Sequence, residues 1–126
     1  MAKKQSYKIK YGQRGEQIAG HFLQGKGLKI ITRNFRTRWG EIDLIAKDKN
    51  QTVFVEVKMR SGQKSGYPEE AIRKRKIASI KRTASIFKDE NPNNADSLRI
   101  DAIAIIADKK KQTYQIRWFK NISEDF

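Results

Sequence analysis

The sequence predicts one α/β domain, a mixed sheet with a helix on each face. Two segments carry apolar residues at helical spacing, and three strand-like segments lie between them. A continuous apolar run and a weakly alternating segment follow the second helix, which gives the order helix, three strands, helix, two strands. A chain of 126 residues suits a single compact domain. We place it at residues 11–126, after a basic arm at residues 1–10.

The first helix is predicted from Tyr11 to Lys26. Its apolar residues recur at helical spacing, and they are Ile18, Ala19, Phe22 and Leu23. Glycines at positions 25 and 27 supply the stop. Residues 28–34 then read as a short strand.

A β-hairpin is predicted next, with strands at about 39–47 and 52–59. If Lys49 and Asn50 form its tip, residues whose numbers sum to 99 lie opposite each other. Asp43 then faces Glu56, and Glu41 faces Lys58. Strict alternation puts residues 41, 43 and 45 on one face, with residues 42 and 44 on the other.

Two acids opposed in this way repel each other, because their Cβ atoms are only about 4.5–5.5 Å apart. A divalent metal bound by Asp43 and Glu56 would offset the repulsion, with help from Lys58. The alternative is a solvated hairpin face with ordinary mixed charges. In that case Glu41 and Lys58 form a surface pair worth roughly 0–1 kcal/mol.

The second half of the chain completes the sheet. A helix beginning near Pro68 carries a buried stripe of Ile77, Ile80, Ala84 and Phe87. The run 100–107 reads as a strand buried on both faces, and residues 113–119 read as the last strand. The crossover through the second helix makes the buried strand parallel to the third strand. Asp101, inside that buried strand, needs an ion-pair partner, which we expect from helix one or the hairpin.

Composition indicates a polyanionic partner. The net charge is +14, from 28 Lys and Arg against 14 Asp and Glu, which favours nucleic acid first and an anionic membrane surface second. The absence of cysteine excludes disulfides and thiolate metal sites and suits a reducing cytosol. The sequence shows neither a signal peptide nor a membrane-spanning apolar stretch, so we expect a cytoplasmic protein.

The predicted element order, with an acid on the second strand and Glu-x-Lys on the third, resembles the restriction-endonuclease-like core of the PD-(D/E)xK nucleases. A further resemblance is carried by five segments, Arg14–Ala19, Asn34–Ile45, Phe54–Arg60, Gly66–Ile72 and Arg99–Asp101. Through them nearly the whole chain resembles the YraN family, small bacterial proteins grouped with Holliday-junction-resolvase-like nucleases.

The resemblance implies a set of site residues. Asp43 and Glu56 would bind Mg²⁺ or Mn²⁺, with the carbonyl of Val57 as a third ligand. Lys58 would orient the attacking water and steady the developing phosphate charge. Glu16 would reach the outer shell of the metal, although an exposed helix charge paired with a nearby cation is an equal alternative.

Basic residues that flank the acids, and others on a basic face of the second helix, are predicted to contact nucleic acid. They are Arg36, Arg38, Arg60, Arg73, Lys74 and Lys76. Trp39 is able to stack on a base, but its place at a strand start beside Gly40 favours a position in the hydrophobic core or at its rim. His21, the single histidine, is assigned to packing or surface.

The resemblance therefore implies a metal-dependent nuclease acting on structured or branched DNA. Junction resolvases act as dimers because a junction has two-fold symmetry, so a homodimer is compatible with this interpretation. Two alternatives stay open at this point. One is a non-catalytic nucleic-acid-binding protein that retains the fold, and the other is a basic adaptor for a protein partner.

Overall fold

The computed structural model describes residues 2–61, 74–94 and 97–122 of the chain. Two α-helices and five strands form the fold within these ranges, together with a 3₁₀ turn at Pro92–Asn94. The helices are α1 (Ala2–Gly25) and α2 (Lys74–Glu90). The strands are β1 (Lys29–Thr37), β2 (Gly40–Asp48), β3 (Gln51–Ser61), β4 (Ser97–Asp108) and β5 (Thr113–Phe119). Neither helix is long and apolar enough to cross a membrane, judged over the described residues.

The five strands form one mixed sheet in the order β1-β2-β3-β4-β5. Three neighbouring pairs are antiparallel, and β3 pairs with β4 in parallel. A parallel pair needs a crossover connection, and α2 lies in the connection between β3 and β4. The predicted α/β fold, its antiparallel meander and its parallel buried strand are confirmed.

Each face of the sheet is covered by one helix. On one face, Ile77, Ile80 and Phe87 of α2 pack with Phe54 and Ile100 of the sheet. On the other, the opposite side of the same strands packs against α1, with Ala19, Leu23, Val53, Val55 and Ile103 in a separate cluster. Full burial of each large apolar side chain contributes roughly 1.5–3 kcal/mol, so both faces help to hold the sheet between the helices.

The β2–β3 hairpin has the predicted register as far as its ladder extends, but the two predicted facing pairs, Asp43 with Glu56 and Glu41 with Lys58, lie beyond it. Its ladder runs from Asp48 opposite Gln51 to Leu44 opposite Val55, which places Lys49 and Asn50 at the tip. Lys49 takes a positive φ of 55° to close the turn. Beyond Leu44 the two strands diverge, since β2 stays paired with β1 as far as Gly40 while β3 stays paired with β4 as far as Ser61. We call this divergence the fork.

The predicted alternation of side chains along β2 is wrong at the fork. Ile42 and Ile45 both pack on the α2 face, whereas Leu44 packs on the α1 face. The neighbouring strand explains the change. Asn34 of β1 has a positive φ of 53° and lies between residues paired with Leu44 and Ile42. The left-handed residue interrupts the pleat, so strict alternation does not pass through this point.

Two predicted boundaries also change. The first helix begins at Ala2 and not at Tyr11, since residues 2–10 contain lysines and other good helix formers and no proline. The backbone of residues 2–10 is therefore helical. The first strand continues past Asn34 to Thr37 because it pairs with β2 up to Gly40. The predicted start of the second helix near Pro68 lies outside the described residues.

Candidate functional site

Asp43 lies at the fork and takes part in its hydrogen bonding. Its Oδ2 accepts a hydrogen bond of 2.8 Å from the backbone N–H of Val57. The side chain thereby replaces a ladder partner just where β2 and β3 separate, which fixes the carboxylate between the two strands.

Three carboxylates meet on the α1 side of the fork. Oxygen atoms of Glu16, Glu41 and Asp43 all lie within 4.8 Å of one another, and all three residues are half-buried. We call these three residues the acidic cluster. With its amide nitrogen facing the carboxylates, Asn34 donates to Glu16 Oε1 at 2.7 Å and to Glu41 Oε1 at 3.0 Å. Arg36 Nε lies 3.2 Å from Glu41 Oε1.

Glu56 lies next to this cluster and is the most buried of the site acids. Only 4% of its side chain is exposed. Its Oε1 is 3.8 Å from Lys58 Nζ and 3.5 Å from Lys76 Nζ, and both lysine side chains are 40% exposed. Lys58 follows on the same strand, whereas Lys76 reaches the acid from α2.

Burial and mutual repulsion disfavour the charged forms of these acids. Burial, followed by the charge of Asp43, raises the pKa of Glu56 from 4.5 to about 7, although Lys76 and Lys58 oppose the shift. Burial and the charge of Glu41 raise the pKa of Asp43 despite the hydrogen bond from Val57. The pKa of Glu16 is also raised, by burial and by Asp43 and Glu41. The described cations therefore leave the negative charge of the site incompletely compensated.

Such a site suits a hard divalent cation. Mg²⁺ and Mn²⁺ prefer carboxylate and carbonyl oxygens, and a cation between these side chains would relieve their repulsion. Clustered carboxyl groups with raised pKa values are also typical of functional sites.

The structure brings together the four side chains predicted to be catalytic, Asp43, Glu56, Lys58 and Glu16, around the fork. Val57, predicted to offer its carbonyl, is tied to Asp43 through its N–H.

The basic residues predicted to contact nucleic acid lie in different environments. Arg36 is exposed and pairs with Glu41, Arg38 lies over the ring of Trp39, and Arg60 is half-buried near the end of β3. Lys76 points to Glu56 and not simply to solvent. Lys74 is the first described residue of α2, and Arg73 lies outside the described residues.

Sequence reasoning missed three contributors to the site. Asn34 joins two acids, Glu41 belongs to the acidic cluster as well as pairing with an arginine, and Lys76 contacts Glu56. One signal was available for Asn34, because asparagine is enriched at positions with positive φ. For Lys76 the signal was its place one helical turn before Ile80 of the buried stripe, because residues four apart share a face of the helix.

Asp101 is a structural acid. It is fully buried and accepts hydrogen bonds of 3.0 Å from both Nε and Nη2 of Arg99. Trp118 Nε1 and the backbone N–H of Asn121 donate to it at 2.9 Å each. The expected ion-pair partner is present, but it comes from the same strand, because residues two apart share a face. Arg99 in turn reaches the hairpin, with Nη1 3.1 Å from Asp48 Oδ2.

Comparisons with known proteins agree on one family. A family model described as "Uncharacterised protein family UPF0102" matches residues 15–105. A UPF0102 protein of Clostridium botulinum is 42% identical over 87% of this chain and 90% of its own length. A UPF0102 protein of Caldicellulosiruptor saccharolyticus is 40% identical over 90% of this chain and 97% of its own. UPF0102 is the YraN family, so the resemblance predicted from the motifs is confirmed.

Proposed function

The chain belongs to the uncharacterised protein family UPF0102, and we propose that it is a metal-dependent nuclease that hydrolyses phosphodiesters in structured or branched DNA. One observation carries the proposal. Glu56, with a pKa raised to about 7, lies beside Asp43 and two lysines at the fork of a strongly basic protein. Acids, lysine and surrounding positive charge are the groups that phosphodiester hydrolysis needs.

The residues at the fork fit a divalent cation. Asp43 and Glu56 would hold it, with the carbonyl of Val57 as a further oxygen ligand and Glu16 or Glu41 of the acidic cluster beyond them. When bound, the cation supplies an activated water at neutral pH and polarises the phosphate.

The lysines beside Glu56 supply the positive charge that hydrolysis needs. Lys58 Nζ, 3.8 Å from the carboxylate and 40% exposed, is close enough to orient a water and to offset charge that develops on the phosphate. Lys76, from α2, places a second ammonium 3.5 Å from the same carboxylate oxygen. Asn34 holds Glu16 and Glu41 in place by donating to both carboxylates.

The charge of the whole chain supports a nucleic-acid substrate. A net charge of +14 attracts the phosphate backbone and makes binding strongly salt-dependent. Arg36 and Arg38 lie on β1 and the turn after it, close in sequence to the acidic cluster, where they would position phosphates.

A second function is favoured by one specific observation. Lys58 and Lys76 both lie near Glu56 Oε1, so part of the negative charge at the fork is compensated by protein groups. A non-catalytic nucleic-acid-binding protein that retains the nuclease fold would need no more than this. The two candidates differ only in whether a phosphodiester is cleaved.

The test is cleavage of a labelled four-way junction, flap, duplex and single strand in the presence of Mg²⁺ or Mn²⁺. Asp43→Asn, Glu56→Gln and Lys58→Met would each lower the rate by about 10²-fold or more. Asp108→Asn, an exposed acid that caps the β4–β5 turn, is the matched control and should cleave like the wild type. Salt-sensitive binding with no cleavage of any substrate would overturn the nuclease and favour the binding protein. Equal cleavage by all variants would place the activity outside this site.

A further inference from the structure

Trp39 is an exposed aromatic side chain at the end of the sheet next to the fork. It belongs to the two-residue turn Arg38–Trp39, between the paired residues Thr37 and Gly40. Of its surface, 41% is exposed, although tryptophan is usually largely buried. An exposed indole on a rigid turn suits contact with a partner.

Two guanidinium groups lie against the same indole ring. Arg38 Cζ is 4.7 Å from the ring centroid, and Arg82 Cζ, from α2, is 4.2 Å from it. Neither arginine is ion-paired with an acid among the residues the structure describes. Two like charges held at one ring repel each other, so an anion beside them would be stabilised.

The turn is fixed to α2 by polar contacts. Ser79 Oγ donates to the carbonyl oxygen of Trp39 at 2.6 Å, and the N–H of Trp39 donates to Thr37 Oγ1 at 3.1 Å. Gly40 has a φ of +149°, and a Cβ there would lie 2.5 Å from Ser79 Oγ, so only glycine permits this close approach. The indole is therefore presented in a fixed position, which lowers the entropic cost of binding.

The turn lies close enough to the acids for one nucleic-acid strand to reach both. Gly40 and Asp43 are on the same strand, three residues apart, which corresponds to about 10 Å at ~3.3 Å per residue. A stacked nucleic-acid strand rises about 3.4 Å per nucleotide, so the same strand would span both features in roughly three nucleotides.

We propose that Trp39, Arg38 and Arg82 form a binding surface for an unpaired nucleotide of the substrate. The inference rests on the proposed function, because it takes nucleic acid as the partner. Paired bases cover their faces in the helix stack, whereas an unpaired base offers a face that stacks on indole or guanidinium planes. The two positive charges hold the flanking phosphates. The surface thus selects DNA with a single-stranded segment next to the cleavage site.

The test is binding in EDTA, where metal-dependent cleavage does not proceed. Fluorescence anisotropy compares a blunt duplex with the same duplex carrying a single-stranded tail of about 6 nucleotides. Trp39→Leu removes the ring and keeps an apolar side chain, while Trp39→Phe keeps a ring. Leu98→Ala is the matched control, since Leu98 is 39% exposed and pairs with Thr52 at the opposite end of the sheet. Circular dichroism on each variant confirms folding.

Trp39→Leu should weaken binding of the tailed duplex about tenfold and that of the blunt duplex less than about twofold. Trp39→Phe should retain most of the affinity, and Leu98→Ala should match the wild type. Arg82→Gln should lower the salt-dependence slope of binding to the tailed duplex by about 0.7 and leave that of the blunt duplex unchanged, whereas Lys29→Gln at the far end of the sheet should change neither. If Trp39→Leu fails to fold, tryptophan emission replaces it: quenching of the wild type by the tailed but not the blunt duplex, lost in Trp39→Phe, supports the proposal, and quenching that persists in Trp39→Phe, where Trp118 remains, overturns it.

An unchanged preference for the tailed duplex in Trp39→Leu would overturn this inference, even if the wild type cleaves DNA. An equal loss of affinity for the tailed and the blunt duplex in Trp39→Leu would also overturn it. Conversely, weaker binding of the tailed duplex alone by Trp39→Leu would support the inference even if no DNA is cleaved with Mg²⁺ or Mn²⁺. The absence of cleavage would then overturn only the nuclease proposal.

Discussion

Replacing Glu56 by glutamine should stabilise the metal-free protein at high pH and leave it nearly unchanged at low pH. Glu56 is 4% exposed, and burial together with the charge of Asp43 raises its pKa to about 7. Glutamine has nearly the same shape as protonated glutamate and never carries the charge. The variant therefore removes an electrostatic cost that a bound cation would otherwise relieve.

The sign and size follow from the two pKa values. Below pH 4.5 the folded and unfolded chains both hold the proton, so Glu56 does not affect the free energy of unfolding. As the pH rises from 4.5 to about 7, the unfolded chain releases the proton first, and stability falls. Each pKa unit corresponds to about 1.4 kcal/mol, so the loss reaches about 3 kcal/mol above pH 7. For a domain of this size, that is about 10 °C in Tm.

The assay is urea unfolding and thermal melting in EDTA between pH 4.5 and 8.5. Glu56→Gln should gain about 3 kcal/mol over the wild type at pH 8 and close to nothing at pH 4.5. Glu90→Gln, which replaces an exposed acid at the end of α2, is the matched control. If Glu56→Gln is less stable than the wild type at pH 8, the prediction is wrong, and the ion pairs of Glu56 with Lys58 and Lys76 outweigh the cost of burying its charge.

Three further predictions test other parts of the account. Asp101→Asn should lower the free energy of unfolding by about 3 kcal/mol in urea, because it leaves the buried charge of Arg99 short of its partner; an effect under about 0.5 kcal/mol would contradict this. Gly40→Ala should cost about 1–3 kcal/mol by thermal melting, whereas Gly25→Ala, with open space around its Cα, should cost almost nothing. Mg²⁺ binding by calorimetry should tighten from pH 6 to pH 8 as Glu56 ionises; pH-independent binding would exclude that acid as a ligand.

The register of the hairpin was predictable because a short turn fixes the pairing of its strands. Placing the tip at Lys49 and Asn50 was enough to set every pair from Asp48–Gln51 to Leu44–Val55. The stripe of α2 was predictable for a related reason, since helical spacing alone places Ile77 and Phe87 on the buried side.

The geometry at the fork was not predictable in this way. Alternation along β2 breaks where Asn34 takes a positive φ on the neighbouring strand, and the sequence pattern of β2 carries no sign of it. The approach of Glu16 and of Lys76 to the acids depends on how α1 and α2 are rotated against the sheet. Such rotations are set by packing of many side chains and not by local spacing.

Mn²⁺ binding measured by electron paramagnetic resonance shows whether the carboxylates at the fork bind a divalent metal. The wild type and Asp108→Asn should each bind Mn²⁺ with the same affinity. Asp43→Asn, which keeps an oxygen to accept from the N–H of Val57, should weaken binding about 10- to 100-fold. Binding by Asp43→Asn that equals the wild type, or no binding by the wild type at pH 8, would contradict the claim.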